Sequence, residues 1–145
     1  VARTFSKSFS LAGLRVGYCF ASPELVRALM AVKDSYNLDA VAQAAATAAI
    51  EDYDRMLANA RAVAALRERC ARELAEIGFR VFPSGGNFLF VRPGRVPAET
   101  IYRDLRERGI LVRFFDAPGL REYLRITIGT DGEMAALLDA LRADA

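Results

Sequence analysis

The residues best suited to chemistry lie close together near the start of the chain. Lys7 stands between hydroxyl-bearing residues in a polar segment, and Arg15 follows eight residues later. Hydroxyls and a guanidinium donate charge-assisted hydrogen bonds to a phosphate group. A lysine amine among other positive charges loses its proton more readily and can attack an aldehyde. These residue types therefore fit a ligand that carries both an aldehyde and a phosphate.

Two interpretations of this segment stay open on the residues alone. Pyridoxal phosphate is such a ligand, and Lys7 would then be its point of covalent attachment. A solvated lysine in a surface loop is the simpler interpretation, and the residues taken alone favour it. The composition adds one weak argument for cofactor attachment, because only Lys7 and Lys33 among 20 basic residues are lysines. Arginine cannot lose its proton, so a lysine in such a chain is slightly favoured as a reactive amine.

The composition is that of an ordinary globular protein and excludes several kinds of site. Apolar residues make up 53% of the chain and charged residues 26%, with a net charge of +2. This charge is too small to favour nucleic acid, and no apolar run reaches the roughly 20 residues of a membrane span. Histidine is absent, which excludes histidine triads and histidine metal sites. Cys19 and Cys70 lack metal-ligand spacing, so we expect isolated buried thiols, no metal and a cytoplasmic location.

Local patterns predict the elements that would position these residues. Residues 16–21 are apolar and β-prone, which predicts a buried strand. Ser22 begins a short helix, and an alanine-rich helical tract covers residues 40–77 with a break near residues 51–54. Gly78 is predicted to end the tract as a C-cap. Apolar residues at three- and four-residue spacing give the tract one core face: Val63, Leu66, Cys70, Leu74 and Ile77.

The rest of the chain alternates strands and helices, which predicts an α/β fold. Strands are predicted at residues 79–82, 88–92, 110–114 and 123–128. Pro97 begins a helix that Gly109 ends. A capping box of Thr130 and Glu133 begins the last helix, whose core face is Met134, Leu137, Leu138 and Leu141. The resulting order, β-β-α-β-β-α, predicts a small sheet with helices on one face.

Two segments of the chain carry both a structural and a functional interpretation. Asn37 could form a hydrogen bond to a cofactor or a substrate, but it precedes the long helical tract, so a helix cap is expected there. Phe88 and Phe90 share a face of a predicted strand and weakly resemble the aromatic surface of an RNA-binding sheet. The low net charge counts against RNA, and a buried core face is the simpler explanation. We therefore expect no nucleic acid partner.

A longer motif connects the lysine segment with a known family. The run SK-x-x-x-LAGLR-x-GY, residues 6–18, closely resembles the cofactor-lysine signature of fold-type I aminotransferases, which depend on pyridoxal phosphate. It is most similar to the branch that includes histidinol-phosphate aminotransferases. Other segments resemble later elements of that family in the same order: residues 36–38, 42–45, 86–88, 109–113 and 124–130. The resemblance therefore covers almost the whole chain.

The resemblance implies roles for four residues at the cofactor. Lys7 matches the lysine that binds the cofactor covalently, and Arg15 matches the arginine that holds its phosphate. Ser6 and Thr4 match hydroxyls near that phosphate. After release by an incoming amine, the amine of Lys7 would transfer the proton that transamination requires.

Two further arginines resemble residues that bind substrate. Arg125 matches the arginine that grips the substrate carboxylate, and its planar guanidinium suits that ligand. Arg113 is similar to a residue that helps to hold a distal phosphate, while a role at the sheet edge is equally open for it. Strand periodicity alone does not show that Arg125 faces a cleft.

The resemblance also implies an architecture and a reaction. Residues 1–35 would be the end of a large cofactor-binding domain, and residues 36–145 the interdomain helix and the small domain. The reaction would transfer an amino group between an amine such as histidinol phosphate and a 2-oxo acid, in histidine biosynthesis. The family's enzymes are expected to be cytoplasmic homodimers. Because the family has further cofactor contacts before the lysine, we expect a fragment that is inactive alone.

Two alternatives to that reaction remain. Decarboxylases of the phosphothreonine type share the lysine signature, and they would release carbon dioxide instead of forming a keto product. A non-catalytic interaction fragment would instead persist by dimerising or by docking onto the missing domain.

Overall fold

A computed structural model describes residues 1–143 of the chain. Its internal contacts form two units, Val1–Ala60 and Arg61–Ala145, with the boundary inside a helix. The predicted division at residue 35 concerns the domains of a longer protein and stays a prediction.

The first unit is organised around the loop between two short strands. Strand β1 (Ala2–Thr4) pairs antiparallel with β2 (Gly17–Cys19), so that Thr4 lies opposite Gly17. A side chain at Gly17 would not fit, because a Cβ there would lie 2.9 Å from a backbone carbonyl oxygen of β1. The loop ends are anchored in a small apolar cluster of Phe5, Val16, Ala42 and Ala46.

The strand predicted at residues 16–21 forms, but the prediction that it is buried was wrong. β2 is shorter than predicted, and all three of its residues are exposed. They include Cys19, so the expectation of a buried thiol was wrong there and is confirmed only for Cys70. Only Val16, directly before β2, is buried. The apolar pattern indicated burial, but the residues described in this unit do not cover the two-stranded sheet.

Three helices follow, with the bounds α1 Pro23–Val32, α2 Ala40–Glu51 and α3 Tyr53–Glu76. The predicted break in the long tract is confirmed at Asp52, between α2 and α3. The cap of α2 is Asp39, whose carboxylate accepts a hydrogen bond from the amide of Ala42 at 2.8 Å. Asn37, which was predicted as a cap, instead accepts a hydrogen bond from Nζ of Lys33 at 2.9 Å. Asp39 is the cap because it stands directly before the first helical residue, whereas Asn37 lies two residues earlier.

The second unit contains a four-stranded antiparallel sheet in the spatial order β3-β4-β6-β5. Its strands and helices are β3 Arg80–Phe82, β4 Phe88–Arg92, α4 Ala98–Glu107, β5 Arg113–Phe114, β6 Leu124–Thr127 and α5 Asp131–Ala143. The predicted β-β-α-β-β-α order is confirmed. β5 is shorter than the predicted strand at residues 110–114, because residues 110–112 are not paired with β6.

One face of this sheet and the three helices α3, α4 and α5 form the core of the second unit. The predicted core faces of α3 and α5 are confirmed, and α4 contributes Ile101 and Leu105. From the strands the core takes Leu89, Val91, Leu124 and Ile126. Side chains alternate along a strand, so Phe88 and Phe90 lie on the opposite face, where they are half-buried. The expectation of a buried core face for these two residues was therefore wrong, because Leu89 and Val91 take that face.

Local signals fix the ends of the helices in this unit. Gly78 and Gly109 have positive φ angles of 91° and 77°, as predicted for C-caps. The capping box is also confirmed. The amide of Thr130 donates to Oε2 of Glu133 at 2.7 Å, and the amide of Glu133 donates to Oγ1 of Thr130 at 3.3 Å. Within residues 1–143, no helix is long and apolar enough to cross a membrane.

Candidate functional site

Lys7 lies at an exposed position of a tight loop in the first unit. Two backbone hydrogen bonds close this loop. The amide of Ser10 donates to the carbonyl of Lys7 at 2.9 Å, and the amide of Leu11 donates to the carbonyl of Phe5 at 3.0 Å. Phe5 is only 2% exposed. A buried anchor and a closed backbone therefore hold Lys7 at the surface of the unit.

Two non-glycine residues near Lys7 have a left-handed backbone. Ser10 has a φ angle of 59° and Arg15 one of 55°. This conformation is unfavourable for residues with a side chain, and it persists where the surroundings impose it. Arg15 adopts it directly after a 3-10 helix, Ala12–Leu14. Such strain clusters at functional sites, so it supports the choice of this loop.

Thr4, Ser6 and Arg15 form one hydrogen-bonded cluster beside Lys7. The hydroxyl of Thr4 donates to Oγ of Ser6 at 2.9 Å, and the amide of Ser6 donates to Oγ1 of Thr4 at 3.1 Å. Nη1 of Arg15 donates to Oγ of Ser6 at 3.5 Å and to the carbonyl of Ala12 at 2.8 Å. Of the four cofactor residues that the sequence indicates, three are thus in contact and the fourth directly follows Ser6.

This cluster has the chemistry of a phosphate site. It combines two hydroxyls with a guanidinium, and the remaining N–H groups of Arg15 have no acidic partner among the described residues. A phosphate ester accepts hydrogen bonds from such donors and neutralises the positive charge. The residues present therefore fit the phosphate of pyridoxal phosphate. Lys7, whose amine would bind the aldehyde, directly follows Ser6 in the sequence.

Arg113 and Arg125 form a second group, in the second unit. They lie directly opposite each other on the neighbouring strands β5 and β6. Arg125 is exposed between the buried residues Leu124 and Ile126, so its side chain belongs to the face of the sheet that the helices do not cover. Arg113 is exposed on the same face, because directly opposed residues share a face.

Each of these two arginines lies over an aromatic ring. Cζ of Arg125 is 5.7 Å from the ring centroid of Phe88, and Cζ of Arg113 is 5.4 Å from that of Phe115. Like charges directly opposite on a sheet repel each other. Neither guanidinium has an acidic partner in the part of the chain that the structure describes. The pair therefore forms an unneutralised doubly positive patch, which suits an anion with several oxygens.

The shifted pKa values of the chain lie in other places. Hydrogen bonds from the amide and hydroxyl of Thr130 lower the pKa of Glu133, and burial raises the pKa of the Cys70 thiol. The first group caps α5 and the second lies in the core, so neither marks a reactive site. No cluster of three or more potential metal ligands occurs among residues 1–143.

The rings beneath the arginines were not predicted from the sequence. Phe115 stands two residues after Arg113, the spacing that places two side chains on one side of an extended segment, and that spacing was an available signal. Phe88 and Arg125 lie on different strands. Their contact depends on the register of β4 with β6, in which Phe90 pairs with Arg125, and no local pattern contains that register.

Known proteins resemble the chain over nearly its full length. Residues 1–141 match the sequence model of a family described as aminotransferase class I and II. Histidinol-phosphate aminotransferase 1 from Nostoc sp. is 49% identical over 140 residues, which are 97% of this chain and 40% of that relative. The chain therefore spans about 40% of the length of the curated relatives it matches.

Solved structures agree with this similarity. The histidinol-phosphate aminotransferase from Clostridium acetobutylicum has a TM-score of 0.88 and 26% identity, covering 99% of this chain and 44% of that chain. The enzyme of the same name from Sinorhizobium meliloti, in complex with pyridoxal-5′-phosphate, has a TM-score of 0.80 and 31% identity. That match covers 99% of this chain and 41% of that chain. The α/β architecture is thus that of the C-terminal part of these fold-type I enzymes.

Proposed function

The chain belongs to the class I and II aminotransferase family, whose cofactor is pyridoxal phosphate, and from this premise we propose a specific reaction. A complete protein would transfer an amino group between histidinol phosphate, or a similar phosphorylated amine, and a 2-oxo acid. Complete protein here means one that also supplies the parts of the relatives that this chain does not span. The named relatives support the choice of amine, since histidinol-phosphate aminotransferases are 43–49% identical to this chain.

The observation that carries the proposal is the cluster around Lys7. Thr4, Ser6 and Arg15 would hold the cofactor phosphate, because they bring two hydroxyls and an unneutralised guanidinium together. The closed loop would present the amine of Lys7 beside that phosphate. A solvated surface lysine would require none of these features.

The cofactor, when bound, supplies the electron sink that makes the substrate carbon acidic. Lys7 is the residue that would hold the cofactor covalently, through its Nζ amine, until a substrate is bound. The neutral amine of Lys7 would then take a proton from the carbon that bears the substrate amino group. Arg15 and the two hydroxyls would keep the phosphate fixed during these steps, so that the reacting atoms stay aligned.

Arg113 and Arg125 would bind the anionic end of each substrate. A guanidinium binds the paired oxygens of a carboxylate or of a phosphate with the same two-pronged geometry. Two opposed guanidiniums carry two positive charges, which match a phosphate dianion better than a single carboxylate. This match supports a phosphorylated amine as one substrate and a simple amino acid, bound mainly by Arg125, as the other.

Product analysis of the complete protein tests this proposal. With the cofactor, histidinol phosphate and 2-oxoglutarate, we expect glutamate and the keto form of the amine. Release of carbon dioxide from phosphothreonine without a keto product would replace this function by decarboxylation. In a second experiment, borohydride reduction followed by peptide mapping should find the cofactor on Lys7. Attachment to Lys33 would contradict the assignment.

We also propose that the complete protein is a cytoplasmic homodimer, as the family resemblance implies, and the first unit supports burial of its α1 helix. α1 has no buried residue, and its apolar side chains Leu25, Leu29 and Met30 are 51%, 44% and 60% exposed. An apolar face of this kind is normally covered by another domain or another subunit. Light scattering of the complete protein should give twice the monomer mass, and a monomer would contradict the dimer.

A further inference from the structure

We infer that Phe88 and Phe115 are positioning residues that aim the guanidiniums of Arg125 and Arg113 at the substrate anion. This inference rests on the proposed substrate role of the two arginines. The new claim is that the aromatic rings, together with the turn that holds Phe88, keep the guanidiniums in position to bind the anion.

The contacts of the two guanidiniums support this inference. Arg125 lies 5.7 Å from the centroid of Phe88, and Arg113 lies 5.4 Å from that of Phe115. The face of an aromatic ring is electron-rich and attracts a guanidinium. An exposed arginine otherwise samples many rotamers, and each must be given up when an anion binds. A ring that already restricts those rotamers lowers the entropy lost on binding.

The mutual repulsion of the arginines makes such restraint more important. Their backbones are directly opposite in the register of β5 and β6. Without an anion, two free guanidiniums in this arrangement would turn away from each other. The rings attract each guanidinium separately and so oppose that separation. The site would therefore be organised before the substrate anion arrives.

Phe88 is itself held by the turn between β3 and β4. The hydroxyl of Ser84 donates to the carbonyl of Phe88 at 2.6 Å and accepts from the amide of Gly86 at 3.2 Å. Nη1 of Arg67, on α3, donates to the carbonyl of Gly86 at 2.9 Å. A Cβ at Gly86 would lie 3.1 Å from the Phe88 ring, so the glycine leaves the space that the ring occupies.

Phe115 is held by an aromatic cluster on the same open face. Its ring centroid is 6.4 Å from that of Phe90, in an edge arrangement. Phe90 in turn stacks on Tyr123, with centroids 4.9 Å apart and an angle of 15° between the rings. The two arginines thus have separate supports, one built on a turn and the other on stacked rings.

Separate supports predict separable effects on the two kinds of substrate. A carboxylate would depend mainly on Arg125 and therefore on Phe88. A phosphate would use both guanidiniums and would depend on Phe88 and Phe115. Loss of Phe115 should therefore weaken phosphate binding and spare carboxylate binding.

The same face contains a matched control. Cζ of Arg80 lies 5.0 Å from the ring centroid of Phe82, which is the same kind of contact at the other edge of the sheet. No substrate role is proposed for Arg80. Phe82 also contacts Phe90 and Tyr123, so Phe82→Leu removes a comparable amount of packing. Because Phe90 and Tyr123 also support Phe115, this control applies to the carboxylate, which depends on Arg125 and Phe88. Phe82→Leu should lower stability without changing the KM for glutamate.

The experiment measures three quantities in the complete protein: the inhibition constant of inorganic phosphate, the KM for glutamate and kcat. Phe88→Leu should raise the first two roughly two- to fivefold with kcat little changed, and Phe88→Tyr should restore them. Gly86→Ala should act in the same direction by displacing the ring. Phe115→Leu should raise only the phosphate constant by a similar factor.

The outcomes separate this inference from the function on which it rests. The inference is overturned if Phe88→Leu changes neither constant, or if Phe82→Leu raises the KM for glutamate as much as Phe88→Leu does. Conservative replacements of Arg113 and Arg125 test whether these two residues form the proposed anion site. If Arg125→Lys and Arg113→Lys leave both constants unchanged, the proposed anion site itself is wrong, whatever the phenylalanine variants do.

Discussion

The two groups of candidate residues are built in opposite ways. Lys7 and its phosphate cluster belong to an irregular loop with left-handed residues, anchored by only four buried residues. Arg113 and Arg125 project from regular strands whose opposite face joins a large core. The arginine pair is thus positioned by a folded unit with its own core. The lysine loop stores backbone strain, and much of the apolar surface of its unit remains exposed.

This difference indicates which group needs the rest of a complete protein. A regular sheet with a packed core keeps its side chains in place without further support. A strained loop on a small core keeps its geometry only where other contacts hold it. The predictions below test this contrast, from the largest expected effect to the smallest.

Replacement of Lys7 should have the largest effect. In the complete protein, Lys7→Ala removes the amine that would bind the cofactor and move the proton. The visible absorbance of the covalently bound cofactor and the transfer of amino groups should both disappear. Absorbance spectra and product assays measure the two effects. Lys33→Ala is the control and should leave both unchanged, since that lysine bonds to Asp34 and Asn37. A Lys7→Ala protein that keeps the bound absorbance band would contradict the assignment.

The difference in packing between the two units can be tested by substitutions in this chain. Leu74 is fully buried in the second unit, and Leu74→Ala should lower the free energy of unfolding by roughly 2–5 kcal/mol. Leu29 in the first unit is 44% exposed, so Leu29→Ala should change it by less than about 1 kcal/mol. Denaturant unfolding followed by circular dichroism measures both. Equal losses would mean that Leu29 is as well packed as Leu74, which would contradict the contrast.

Removal of Arg15 should weaken cofactor binding in the complete protein. Arg15→Ala would delete the proposed charge-assisted contact to the phosphate, and loss of such a contact costs on the order of 2 kcal/mol, or about thirtyfold in affinity. Substrate affinity should change much less. Titration of the cofactor-free protein with pyridoxal phosphate gives the dissociation constant. Arg61→Ala removes an exposed arginine outside the cluster and should leave the constant as it is. No change in Arg15→Ala would remove Arg15 from the site.

Replacement of Arg125 by lysine should affect both halves of the reaction. A lysine keeps the charge and loses the paired hydrogen bonds, so we expect a loss of about tenfold for the amino acid and for the phosphorylated amine. Single-turnover kinetics of each half-reaction in the complete protein provide the measurement. Slowing of one half alone would mean that the two substrates do not share Arg125. Arg106→Lys, on the exposed surface of α4, serves as the control.

The sequence predicted the local features well, because their causes are local. The capping box of Thr130 and Glu133 and the C-caps at Gly78 and Gly109 depend on neighbouring residues only. The core faces of the helices follow from spacing along a single helix. These features also located the strands that carry the candidate arginines.

The features that the sequence could not predict depend on contacts between distant segments. The facing of Phe88 and Phe90 depends on which alternate residues of β4 meet the helices, and the pattern FLFVR is apolar on both faces. The pairing of Arg113 with Arg125 depends on the register of two strands joined by a loop. A shift of one residue would place either arginine on the core face. The exposure of β2 likewise reflects what packs on it, not its own composition.

The smallest effect concerns the cap of α5 and tests whether the second unit depends only on its own contacts. The pKa of Glu133 is lowered because its carboxylate accepts hydrogen bonds from the amide and hydroxyl of Thr130. A lowered folded-state pKa means that the ionised form stabilises the fold. That contribution is complete above the ordinary pKa of a glutamate, about 4.3, and is lost as the pH falls through the lower folded value. Unfolding of the chain should therefore need less denaturant as the pH falls below the ordinary pKa of a glutamate.

A glutamine at this position separates the charge from the hydrogen bond. Glu133→Gln keeps an acceptor for the Thr130 amide but cannot ionise, so its stability should lose this part of the pH dependence while α5 still forms. Glu107→Gln is the control, since Glu107 is an exposed carboxylate at the end of α4, and it should keep the wild-type profile. Urea titrations at several pH values between 3 and 7 give the comparison. If both variants follow the wild-type curve, the cap contributes nothing that depends on charge, and the stability of the second unit rests on its core alone.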